Sequence, residues 1–394
     1  MAKAWRIPLA APDLGAEEIA AVTRVLQSGM LSRGPYQEEL ESAFARYLGR
    51  RHAIGVNSGT SGLHLALLAA RVAPGDLVLT TPLSFIASSN CILHCRATPV
   101  FVDVDPQTGN LDEAQALQAM GDLAGGGTAG RRWLPPLVGR SRRLKAVLPV
   151  HLFGQQAPLG AIVDSAGELG VAVIEDACEA LGARRQGRLA GGWGDAAVFG
   201  FYANKQITMG EGGLVVTDHE DWAERIRHWR NQYPCQPKGG CDRLQAGFSY
   251  RLDEMSAALG LTQLKRLESL LAMRREVARL YQDHLGEIEG VELLKPSAGR
   301  QSLSWFVYLI RVRRRFRDVL IERLAQEGIP AKVYFPPIHL QEPFRSLLGY
   351  REGAFPVAEE WGATALALPF FPRMAPEQVA GVCRTVREVV TSSG

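Results

Sequence analysis

Apolar residues recur along this chain with two different periods. Between residues 14 and 28 they fall at Ile19, Val22, Val25 and Leu26, the spacing of one helix face, and Ser28-Gly29 closes the element. Ser32-Arg33-Gly34-Pro35 reads as a turn into a second helix that ends near Leu48. Short β-rich runs follow at 52–56, 77–81, 99–104, 146–151, 171–175, 196–201 and 214–217. Most are separated by helical stretches long enough for crossovers, which predicts an α/β fold with a largely parallel seven-stranded sheet between helices. After Asp253 the helical period returns at Met255, Leu259, Leu264, Leu267, Leu271, Val277 and Leu280. It leads to a predicted strand at 305–312 and helices near 318–327 and 376–390. The expected division is a large domain, residues 1–252, and a linking helix with a smaller domain, residues 253–394.

Composition changes this picture little. The 394 residues are 46% hydrophobic and 22% charged with a net charge of +3, ordinary values that point to neither nucleic acid nor a membrane surface. No apolar run is as long as a membrane span, and residues 1–6 lack the apolar core of a signal peptide, so a cytoplasmic setting is expected. Six cysteines at irregular spacing are too few for a disulfide scaffold. Cys91, His94 and Cys95 sit at helical spacing in an apolar stretch without a second ligand pair, so packing and no metal site is expected. Residues 125–145 are rich in Gly, Pro and Arg and carry no acid after Gly125; they read as a solvated insertion or as a basic flap for substrate phosphates. Arg311, Arg313, Arg314, Arg315 and Arg317 read as a solvated strand edge and turn.

Three stretches carry candidate chemistry. Asn57-Ser58-Gly59-Thr60-Ser61-Gly62 follows the first strand and opens a helix, where free N–H groups and hydroxyls either bind an anion or only cap the helix. Asp176 ends the fifth strand, where open sheets bind ligands; it either meets a pyridine nitrogen or caps the next helix. Lys205 lies between the last two strands, ahead of Gly210-Glu211-Gly212-Gly213. It is either an ordinary solvated lysine or one that forms a Schiff base. Together, anion turn, acid and lysine match the phosphate, pyridinium and aldehyde of pyridoxal 5'-phosphate (PLP).

With these residues in place the chain resembles the DegT/StrS family of PLP-dependent sugar aminotransferases of fold type I. The likeness runs nearly end to end, through Ser28-Gly29, Ser32-Arg33-Gly34-Pro35, Asn57 to Ser61, Pro149-Val150-His151-Leu152-Phe153-Gly154, Glu175-Asp176-Ala177, Asn204 to Thr208, Gly210 to Gly213, Tyr250-Arg251-Leu252 with Ala257 to Gly260, and Tyr334 to Leu340. It implies Lys205 as the Schiff-base lysine, Asp176 as partner of the ring nitrogen, Phe85 as the ring-stacking aromatic, and Gly59, Thr60 and Ser61 as the phosphate turn. Glu179 stands where such proteins usually have glutamine near the ring hydroxyl. It is expected to be protonated or turned toward the substrate, because an ionised carboxylate would repel the ring phenolate. Gly200 and Ser249 replace a serine and an asparagine that reach the phosphate, with Asn204 or Ser249 expected to compensate, and Met209 replaces a threonine. His339, Tyr334 and Arg33 are the implied substrate-side residues, His339 alternatively being a buried structural histidine.

The activity implied is a ping-pong transfer through pyridoxamine 5'-phosphate, with glutamate as donor and a nucleotide-linked keto sugar as acceptor. A 4-keto-6-deoxyhexose for surface polysaccharide or antibiotic sugars is favoured. The resemblance also implies a homodimer with shared sites, residues 249–251 crossing between subunits. The alternatives are a keto-cyclitol acceptor, a PLP-dependent sugar dehydratase (against which Lys205 argues) and a non-catalytic regulator.

Overall fold

The computed structural model describes residues 5–139, 143–232, 246–295 and 301–391. Its main sheet contains β1 (His52–Val56), β2 (Leu77–Thr80), β3 (Thr98–Phe101), β4 (Leu144–Val147), β5 (Ala172–Asp176), β6 (Ala196–Gly200) and β7 (Gly213–Thr217), in the order β1-β7-β6-β5-β4-β2-β3. All pairings from β6 across to β3 are parallel, and β7 alone runs against its neighbours β1 and β6. Each of the seven expected strands is present. Strands such as Leu77–Thr80 and Gly213–Thr217 are buried throughout, which is why they read as unbroken apolar runs. β4 stops at Val147, short of its apolar run, because Pro149 has no N–H to donate; Val150 keeps only an isolated bridge to Asp176.

Register sets the functional edge. Val56 and Gly200 both pair with Gly213, and Asp176 pairs with Val198. The ends of β1, β5 and β6 and the start of β7 therefore lie along the carboxyl edge of the parallel strands, the edge where open α/β sheets bind ligands.

Helices α1 (Ala16–Ser28), α2 (Pro35–Leu48), α3 (Gly59–Ala69) and α4 (Ala87–His94) precede or follow these strands. In α1 the buried face is Ala21 and Val25, packed on Ala258, whereas Ile19 and Leu26 of the predicted face are 67% and 56% exposed. Leu14, Met30 and Leu31 are exposed as well. The helical pattern after Asp253 is two helices, Glu254–Lys265 and Leu267–Leu285, broken at Arg266, whose guanidinium is drawn to Asp13 and Glu18.

A second sheet of four strands holds Val291–Leu293, Tyr308–Val312, Lys332–Val333 and Ala365–Leu368. The strand expected from 305 starts only at Tyr308, because Trp305 has a left-handed φ of 50°. Helices Arg314–Gln326 and Pro376–Thr391 cover it. Arg311 is less solvated than expected, lying 4.6 Å from the Trp361 ring centroid and pairing with Glu292. In the Gly- and Arg-rich insertion, Gly127–Arg131 forms a short helix and Arg132 pairs with Asp122 at 2.6 Å; Arg140 and Arg142 lie outside the described residues. Cys91 and Cys95 are buried free thiols. Among the described residues no helix is long and apolar enough to cross a membrane.

Candidate active site

At the end of β1 the chain turns into α3 with Ser58 as its cap. The Ser58 hydroxyl accepts from the Ser61 N–H at 3.1 Å, and the Ser61 hydroxyl donates to Asn57 Oδ1 at 2.6 Å. Ser61 is thus taken up by the cap. The donors left at the helix start are the Gly59 and Thr60 N–H groups and the Thr60 hydroxyl, beside the positive end of the helix. Gly213 is required opposite them: a Cβ there would stand 2.4 Å from the Ser58 carbonyl.

Asp176, 5% exposed, is held at both oxygens. Ser88 Oγ donates to Oδ2 at 2.7 Å and the Cys178 N–H to Oδ1 at 3.1 Å. It makes no ion pair among the described residues, so a buried carboxylate faces this edge with hydrogen bonds but no counter-cation. The residue before it does the opposite work. Glu175 is fully buried and accepts from His151 Nε2 at 2.8 Å and from the Gly191, Trp193 and Gly194 N–H groups at 2.7–2.8 Å. The Ala157 N–H donates to His151 Nδ1 at 3.0 Å, which leaves Nε2 as the ring nitrogen that donates to Glu175. Burial raises the Glu175 carboxyl, but His151 and the backbone donors outweigh it and hold it below its ordinary value.

Lys205 sits in the turn between β6 and β7 with its side chain 15% exposed. Its Nζ lies 3.7 Å from Glu179 Oε1 and 3.9 Å from the Phe306 ring centroid. Glu179 Oε2 accepts the Phe153 N–H at 3.1 Å. Burial raises the Glu179 carboxyl above its ordinary value, against the pull of Lys205 and the Phe153 N–H. Glu179 stands three residues after Asp176, on the turn that follows β5, so its 3.7 Å contact brings the Lys205 amine to the end of the strand that carries the acid.

The other predicted residues divide into two groups. Phe85 is 60% exposed with its centroid 6.4 Å from that of Phe335, and the partly buried Tyr334 ring lies 6.2–6.3 Å from Phe306 and Phe153. Asn204 adjoins the lysine with its side-chain oxygen buried and, among the described residues, without a hydrogen bond. Outside this group, Ser249 is exposed; its carbonyl accepts from Asn57 Nδ2 at 3.5 Å and its hydroxyl from Arg251 at 2.8 Å. Arg33 is exposed on its turn with a φ of 58°. His339 is fully buried, bonded to Glu359 at 2.9 Å and edge-on to Phe355 and Tyr350.

Residues 12–387 match the DegT/DnrJ/EryC1/StrS aminotransferase family. The chain belongs to that family. It is 36% identical over 402 residues to the spore coat polysaccharide biosynthesis protein SpsC of Bacillus subtilis (strain 168), covering 98% of this chain and 97% of that one. To the GDP-perosamine synthase of Caulobacter vibrioides it is 37% identical over 369 residues, covering 92% and 93%. It superposes with a TM-score of 0.84 at 29% identity on DesI, solved in the presence of its TDP-sugar product, over 100% of this chain and 94% of the other. The protein is a sugar aminotransferase of a PLP-dependent family on the fold-type I scaffold.

The residues fit the family's cofactor. A buried carboxylate with no cation suits a protonated ring nitrogen, and the unpaired donors of Gly59 and Thr60 suit a phosphate. Of the departures named above, Gly200 faces Cys178: a Cβ there would lie 3.3 Å from the Sγ atom, a tight contact that asks the thiol to give by a few tenths of an ångström. Met209 is a packing residue, 2% exposed, whose side chain occupies the space left by Gly260.

Sequence reading missed Ser88, Phe306 and Arg274. Ser88 stands three residues after Phe85, in the first turn of α4. Phe306 is a hundred positions from the lysine it underlies, and no local pattern points to it. Arg274 had a signal: it occupies the buried stripe of its helix between Leu271 and Val277.

The ion pair with Lys205 gives Glu179→Gln a definite sign. Removing a carboxylate 3.7 Å from the lysine nitrogen destabilises that nitrogen's protonated form. The variant should stay active, with the cofactor's visible band changing at lower pH than in the parent. An absorbance titration of the purified proteins measures this; an unmoved midpoint refutes a functional role for the contact.

Proposed function

We propose that this enzyme transfers the amino group of glutamate to the keto group of a nucleotide-linked sugar, a 4-keto-6-deoxyhexose used for surface polysaccharide or antibiotic sugars. The observation that carries the reading is Asp176 at the end of β5 with Lys205 Nζ 3.7 Å from Glu179, three residues further along the turn that follows Asp176. When bound, the cofactor supplies the electron sink for the charge left at the donor's α-carbon. Lys205 Nζ would take the proton from that carbon and, in the second half of the reaction, would return a proton to the sugar carbon that receives the amine. Asp176 keeps a proton on the ring nitrogen, and Ser88 and the Cys178 N–H hold its two oxygens in place. Gly59 and Thr60 bind the phosphate, with Asn204 alongside, and Phe85 covers the ring.

A nucleotide-linked acceptor is supported by the GDP-perosamine synthase and the TDP-sugar product of DesI. A cytoplasmic homodimer and a two-domain division at residue 252 belong to the same proposal. Five apolar residues exposed within 14–31 support a subunit contact, and exposed Arg33 and Ser249 would then serve the neighbouring subunit's site. The direct test converts the protein to its pyridoxamine form and mixes it with a panel of nucleotide-linked keto sugars. Return of the visible band with one of them identifies the acceptor; no return with any, but with a keto-cyclitol, overturns the proposal.

A further inference from the structure

Arg274 is the least expected charge in the protein. It lies in the Leu267–Leu285 helix, 2% exposed, and has no ion pair among the described residues. Nη2 donates to the Lys205 carbonyl at 2.9 Å, and Nη1 to the Trp305 and Phe306 carbonyls at 3.2 Å each. Burying an uncompensated guanidinium is expensive, and apolar residues of similar volume commonly fill such places at least as stably. Burial lowers its pKa to about 10, which still leaves the group charged near neutrality. Only a planar fork of donors reaches three carbonyls on two segments at once, which the compact ammonium of lysine does not.

The three carbonyls have one thing in common, the lysine amine. Lys205 contributes the main chain that carries it, and Phe306 carries the ring 3.9 Å below it. The circuit closes on the other side. Gln206 Nε2 donates to the Glu179 carbonyl at 2.7 Å and to Ser304 Oγ at 2.9 Å. The Ser304 N–H donates to the Gly154 carbonyl at 2.8 Å, next to the Phe153 N–H that holds Glu179. Lys205, Glu179, Phe153, Ser304, Phe306 and Arg274 thus form a ring of contacts around the amine.

We propose that Arg274 is a positioning residue for Lys205, locking the amine between Phe306 and Glu179 and tying it to the segment that precedes strand Tyr308–Val312. The inference rests on the reading of Lys205 as the catalytic lysine, but its test does not need the cofactor. In cofactor-free protein, trace acetic anhydride labels lysines at rates read from peptide masses. Lys145, at the opposite end of β4, is the internal reference.

Arg274→Lys keeps the charge and loses the fork. It should leave the melting temperature and Lys145 labelling near the parent values while Lys205 labelling rises several-fold. In the loaded enzyme kcat should fall by roughly 10²-fold with KM little changed, the cost expected of a reacting group displaced by about 1 Å. Phe306→Leu removes the platform and leaves Arg274 intact; it should reproduce the Lys205 effect, and the double variant should show less than the sum. Parent-like Lys205 labelling in Arg274→Lys overturns the proposal, as does a parallel rise at Lys145. Should Arg274→Lys not fold, parent-like labelling in Phe306→Leu overturns it alone. A parent protein without any cofactor band would instead overturn the proposed function and leave the labelling result standing.

Discussion

Lys205→Ala should fold normally, show no visible band of lysine-linked cofactor, and lose transfer by more than about 10⁴-fold, the upper range for a positioned acid–base group. The loss is this large because one amine has two duties, holding the cofactor between turnovers and moving the proton during them. No neighbour can assume either. Glu179, at 3.7 Å, is an acid whose nearest role is to pair with the amine, and Phe306 on the other side offers only a ring face. Absorbance spectra and a coupled transfer assay on the purified variant check both halves, with circular dichroism to confirm folding. Measurable turnover by the variant would refute the assignment.

Glu175→Leu should have the largest effect on stability. The change strands the fully buried His151 Nε2 proton and the buried Gly191 N–H, and removes the acceptor of the part-buried Trp193 and Gly194 N–H groups. Breaking a buried, hydrogen-bonded charge of this kind costs about 3–5 kcal/mol. For a protein of this size that lowers the melting temperature on the order of 5 °C. Glu175→Gln, which keeps an acceptor oxygen, should lose less. A pH signature separates charge from shape. The folded Glu175 carboxyl is held below its ordinary value of 4.5, so its stabilisation is complete above that value and disappears as pH falls through the lowered one. Thermal melts across the acid range should show this slope in the parent and lose it in the glutamine variant. Equal slopes would assign the acid sensitivity elsewhere.

Much of the site was legible because it follows from strand ends. Once the apolar runs were assigned to parallel strands, Asp176 and Lys205 had to emerge at one edge, and the turn after β1 with them. What chain order does not contain is how a side chain is spent locally. Ser61 and Thr60 are equivalent as letters, yet Asn57 and Ser58 consume the first and leave the second. The start of the strand at Tyr308 was misjudged because a left-handed Trp305 is invisible to alternation, and that same kink lets carbonyls 305 and 306 meet Arg274. The exposed Ile19 and Leu26 obey helical periodicity without being buried in this chain, since periodicity reports a face and not what covers it.

Glu175 and Asp176 are consecutive residues of one strand, so the pleat sends their carboxylates to opposite sides of the sheet. One side is scaffold and the other is chemistry. Insertion or deletion of a single codon within β5 would exchange them, presenting the cofactor with the wrong acid and the scaffold with a shorter one. Activity and folding would fail in the same step. Natural variation in chain length is therefore expected to avoid 172–176 and to collect in stretches such as 125–139, where most residues are exposed.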